Sequence, residues 1–100
     1  MTKMTKNSIV HVTSADGNVF ADLGFASDEA AKLKIKAHLM IQLEQWIREE
    51  QLKQEDAARL LQVNRPRISD VVRGKTDKFT IDALVDMLER AGKQVTVQVV

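Results

Sequence analysis

The sequence predicts a mainly α domain of four or five helices closed by one short C-terminal β-strand. Three observations carry this expectation. Apolar residues recur at helical spacing over residues 35–47 and again over residues 81–88. Capping and stop residues punctuate the chain: Ser27 precedes the first run, Thr80 and Gly92 flank the second, and Asn64 and Gly74 bracket a short stretch between them. Residues 94–100 alternate with a period of two, as a strand does, with Val95, Val97 and Val99 on one side.

One hundred residues are enough for one helical core and little else. A hydrophobic share of 44% with 29% charged residues is that of a globular chain. The aromatics are Phe20, Phe25, Trp46 and Phe79, so the core must be aliphatic. Cysteine is absent, which excludes disulfides, thiolate nucleophiles and cysteine-ligated metals. No apolar run approaches the ~20 residues that span a bilayer, and Met1 to Lys6 do not lead into a signal-peptide stretch. The expected compartment is the cytoplasm.

The chain divides into an arm or short strand (1–26), a helical domain (27–92) and a strand (93–100). In the arm, residues 8–13 are rich in β-branched side chains (Ile9, Val10, Val12, Thr13), a turn signal follows at Asp16, Gly17 and Asn18, and Phe20, Leu23 and Phe25 are placed to anchor it. Ser27, followed by Asp28 and Glu29, starts a long helix over residues 28–50. Its apolar stripe is Ile35, Leu39, Leu43, Trp46 and Ile47, opposite Lys34, Glu44, Gln45 and Arg48. A short helix is expected over residues 52–61. Gln62, Val63 and Asn64 interrupt it, and Asn64 caps a second short helix over residues 65–72 that Gly74 stops. Pro66, the lone proline, falls in that helix's first turn, where its missing N–H costs nothing. Thr80 caps a last helix over residues 81–91, with Ile81, Leu84, Val85 and Leu88 on one face.

Two short helices joined by three residues must cross steeply, which constrains the contact. Counting from Gln54, a small residue (Ala58) comes four on, corner apolars (Leu61, Val63) seven and nine on, and an inward pair (Ile68, Val71) fourteen and seventeen on, with Ala57 beneath. Through Gln54, Ala57, Ala58, Leu61, Val63, Ile68 and Val71, residues 54–73 resemble the helix-turn-helix of the Cro and phage-repressor family, often called XRE. A lambda-repressor-like domain is the fold this implies. The turn usually holds glycine where this chain has Gln62, which implies a left-handed glutamine.

The resemblance also implies double-stranded DNA as a partner, with the second helix in the major groove. Its early residues, Asn64, Arg65 and Arg67, then Ser69 and Asp70, are the expected base readers, arginine for guanine and asparagine for adenine. Gln54, Arg73, Lys75 and Lys78 are expected at phosphates. Asp70 is expected to pair with Arg67 or Arg73. Residues 64–78 carry a local charge of +3 against −2 for the other 85 residues, which fits a phosphate-facing patch.

A looser resemblance covers residues 18–100. The order of residues 18–25, a long helix, the motif, Phe79-Thr80 and a valine-rich strand is similar to Hig-type antitoxins. It implies a homodimer that represses its own operon and neutralises a RelE-like toxin. The homodimer is also expected from the strand itself, whose edge needs a partner. Either residues 9–12 or a symmetric copy of residues 94–100 could supply one, and the copy is the expected choice.

No enzyme, cofactor or metal site is expected. His11 and His38 lie in unrelated contexts, no Gly-rich phosphate loop is present, and Glu55 and Asp56 are adjacent and so diverge on a helix. Three readings stay open: an antitoxin, a stand-alone XRE-type repressor, and a protein-interaction module that does not bind DNA.

Overall fold

The computed structural model describes residues 8–12 and 27–100. The elements run β1 (Ser8–Val12), α1 (Ser27–Glu49), α2 (Gln54–Leu61), α3 (Arg65–Val72), a 3-10 turn (Thr76–Lys78), α4 (Ile81–Arg90) and β2 (Val95–Val99). The anchoring role of Phe20, Leu23 and Phe25, and the capping hydroxyl of Ser27, fall outside the residues and side chains described.

Each described helix ends in the same way. One or two residues past the last helical residue the chain turns left-handed, and two backbone bonds close the end in a Schellman motif. After α1, Gln51 has φ 54°, and Gln51 and Leu52 donate to Arg48 and Ile47. After α2, Gln62 has φ 60° and ψ 42°, and Gln62 and Val63 donate to Arg59 and Ala58. Gly74 (φ 71°) and Gly92 (φ 85°) repeat the pattern after α3 and α4. The left-handed Gln62 is as the motif implied. Gln51 carried no such signal. Its turn also explains why α2 starts at Gln54 rather than at Leu52: the Leu52 amide is bonded to α1, and its side chain packs against the core.

The core sits where α1 meets α4 on one side and the crossed pair α2 and α3 on the other. Leu39, Leu43, Trp46 and Ile47 come from α1, and Ala57, Ala58 and Leu61 from α2. Ile68 and Val71 of α3 and Leu84, Met87 and Leu88 of α4 complete it with Phe79. Met40, Met87 and Phe79 are buried although the apolar stripes did not include them. Ile35, Val63, Ile81 and Val85 are half-buried at its margin. Each fully buried leucine contributes about 1.5–3 kcal/mol, so the core rather than helix propensity stabilises these short helices.

The strand expectation needs correction. β2 is paired within the chain, by β1 in parallel, in a register that runs from Ser8 opposite Val95 to Val12 opposite Val99. Parallel pairing needs a long crossover, and here the whole helical domain supplies it. A tethered partner is always at high local concentration, so it outcompetes a free second copy for that edge. Among the described residues nothing pairs with β2's other edge, and Val97 and Val99 are 61% and 79% exposed.

The left-handed glutamines give a direct test. Gln51→Gly and Gln62→Gly should each raise stability by up to ~1 kcal/mol, because glycine adopts this conformation without a Cβ penalty. In a domain of this size that is a rise of a few degrees in Tm, read by circular dichroism. A fall in Tm for both would refute the turn geometry.

Candidate nucleic-acid interface

The interface is built on the crossing of α2 and α3. Ala57, Ala58, Leu61, Ile68 and Val71 are all buried, and Val63 is half-buried in the corner. With Ile68 and Val71 turned inward, helical periodicity places Pro66, Ser69, Asp70 and Arg73 on the opposite side of α3. Asn64, Arg65, Pro66 and Arg73 are exposed, while Ser69 and Asp70 are half-buried. Gln54 opens α2 and is half-buried, next to an exposed Lys53 whose side chain makes no cap.

Beyond Gly74 the chain forms a short basic turn. Lys75 and Lys78 are exposed, whereas Phe79, at the end of the turn, is 3% exposed and rooted in the core. Thr80 then caps α4, its hydroxyl oxygen accepting from the Ala83 amide at 3.1 Å. Arg73, Lys75 and Lys78 therefore project from a turn anchored at both ends, not from a loose loop.

A helix-turn-helix domain family matches residues 19–100 of this chain. The chain belongs to that helix-turn-helix family. No curated protein and no solved structure matches it significantly. The match takes in α1 to β2 and begins after β1. Helix-turn-helix domains form a DNA-binding, transcription-regulating class. Among the described residues no helix is long and apolar enough to cross a membrane, and no group of His, Asp or Glu is placed to hold a metal ion.

In this helix-turn-helix protein the candidate base readers are not equivalent. Arg65 is exposed and free to extend. Asn64 has a second task, since its Oδ1 accepts from the Arg67 amide at 3.1 Å and caps α3. Its amide nitrogen remains available as a donor. Arg67 is turned away from the outward ridge. Its guanidinium carbon lies 4.1 Å from the centroid of the Phe79 ring, and Nη1 donates to the Lys78 carbonyl at 2.8 Å.

The pairing expected for Asp70 is corrected by the same geometry. The ion pairs among the described residues are Arg48–Glu44 and Arg59–Asp56, and Asp70 joins neither Arg67 nor Arg73. An exposed ion pair stabilises by at most ~1 kcal/mol. A stacked, charge-assisted contact on a buried ring competes better for Arg67.

Sequence reasoning missed two long-range ties. Arg67 to Phe79 spans 12 residues, and Arg90 of α4 donates from Nη1 to the Leu61 carbonyl at 3.4 Å, across 29 residues. The second tie supports the open carbonyl end of α2 at the turn. Neither pair has a local spacing signal.

The cap at Asn64 can be separated from any contact it makes. Asn64→Ala should cost about 0.5–2 kcal/mol of stability, whereas Asn64→Asp, which keeps a capping oxygen, should cost much less. Urea unfolding measures both, and equal losses would rule out the cap.

Proposed function

We propose that this protein is a sequence-specific DNA-binding transcriptional regulator that places α3 in the major groove of an operator. One observation carries the reading. α3 is locked across α2 by Ile68 and Val71, yet its N-terminal residues Asn64, Arg65 and Pro66 stand exposed. The exposed cations Arg73, Lys75 and Lys78 follow directly at its other end. Arg65 is the principal base reader, able to grip guanine O6 and N7 with two bonds. Asn64 donates from its amide nitrogen, and Ser69 meets bases one turn further on. Gln54, Arg73, Lys75 and Lys78 hold phosphates and set the register.

The regulator acts as a homodimer, since a single motif reads only a few base pairs and a two-fold pair reads two half-sites ~34–36 Å apart. Support comes from β2's second edge, which no described residue pairs, and from its exposed Val97 and Val99, which suit antiparallel pairing with a second copy. The layout over residues 18–100, similar to Hig-type antitoxins, favours a further role: repression of its own operon and neutralisation of a RelE-like ribonuclease toxin.

Salt separates DNA binding from a pure protein-interaction role. Operator binding should weaken steeply with salt, with a slope near −0.9 per phosphate neutralised. Arg65→Ala should lower specific affinity by about 1–3 kcal/mol with the melting curve unchanged. Gel shifts showing no salt dependence, or full binding by the Arg65 variant, would sink the assignment.

Assembly is checked by sedimentation. A chain ending at Gly92 should be monomeric with its helices folded, since β2 contributes only Val95 to the margin of the core. A dimer that survives this truncation would place the interface elsewhere.

A further inference from the structure

We infer that Arg67 is a positioning residue which fastens the recognition helix to the basic turn, and that it does not itself read a base. The inference rests on the DNA-binding reading above and assigns one residue a role within it. Three contacts converge on Arg67. Its amide is held by the Asn64 cap at 3.1 Å, its guanidinium lies over the Phe79 ring at 4.1 Å, and its Nη1 reaches the Lys78 carbonyl at 2.8 Å.

Phe79 is 3% exposed, so the ring is a fixed platform and not a mobile surface group. A guanidinium lying on that ring cannot at the same time extend its fork to a guanine edge in the groove. Arg65, two residues earlier, is exposed and has no such tie. The bond to the Lys78 carbonyl instead fixes the backbone of the turn that carries Lys75 and Lys78. The base-reading end of α3 and the phosphate-holding turn thus become one rigid body, which lowers the ordering cost of docking on DNA. Arginine suits this task because its planar fork stacks by its face and donates by its edge. A lysine ammonium has no flat face with which to do both.

A positioning residue and a base reader leave different signatures. Loss of a reader abolishes preference at particular base positions, while loss of the clamp weakens all sequences alike. The test selects binding sites from a randomised DNA pool with the full-length parent, Arg65→Ala, Arg67→Ala and Arg67→Lys. Each is used below its melting temperature. Arg67→Ala should retain the parent's preference at every position and lose roughly 5- to 30-fold in affinity across all sites. Arg67→Lys, which keeps the charge, should recover only part of that loss. Arg65→Ala should flatten at least one position.

Loss of preference at any position in Arg67→Ala overturns the proposal, as does unchanged affinity or full rescue by lysine. A second measurement needs no DNA. In a thermal double-mutant cycle, Phe79→Leu should lower Tm clearly less in the Arg67→Ala background than in the parent, and additive effects would refute the clamp. If the parent itself selects no sequence, the DNA-binding reading fails and Arg67 has nothing to position. The cycle then still decides whether the clamp exists.

Discussion

Where α2 passes over α3 the two backbones come close enough that alanine fills the gap. Ala57 and Ala58 are buried at this crossing, with Leu61 beside them and Ile68 and Val71 opposite. Two eight-residue helices are too short to persist alone in water. They hold because α1 and α4 supply the surface against which this pair is pressed. The angle of α3, and so the direction in which Arg65 projects, follows from that contact. A larger side chain at Ala58 would move everything that depends on it.

The turns preserve that geometry at the backbone level. A Schellman closure satisfies carbonyls that a helix end leaves open and fixes the direction of the outgoing chain. This protein uses it after α1, α2, α3 and α4, twice with glycine and twice with glutamine. The glutamines accept a Cβ penalty that glycine would not, so the surrounding packing must hold them in place. Leu52 and Val63, the residues that follow, supply it: both pack against the core.

Electrostatics and packing are joined at Arg67. A basic turn on a flexible link would present its charges over a range of positions. Here Phe79 roots the turn in the core, Arg67 lies on the ring, and the Lys78 carbonyl is bonded to it. The same aromatic side chain therefore belongs to the core and carries the Arg67 guanidinium. Arg90 makes a second long-range tie at the turn between α2 and α3, where it reaches the Leu61 carbonyl.

What the sequence determined by itself is local and periodic. The spacing of Leu39, Leu43, Trp46 and Ile47, the caps at Asn64 and Thr80, and the stops at Gly74 and Gly92 define the helices, because each depends on neighbours within one or two turns. The motif spacing from Gln54 to Val71 was equally legible, since a steep crossing demands a small residue and a fixed inward set. What only the tertiary structure decided involves partners far apart in the chain. The parallel pairing of β1 with β2, the burial of Phe79, the turning of Arg67 away from the outward ridge and the Arg90 tie carry no spacing signal. Each forms because folding brings distant groups together, where a buried ring or an open carbonyl outweighs any partner that neighbouring residues could offer.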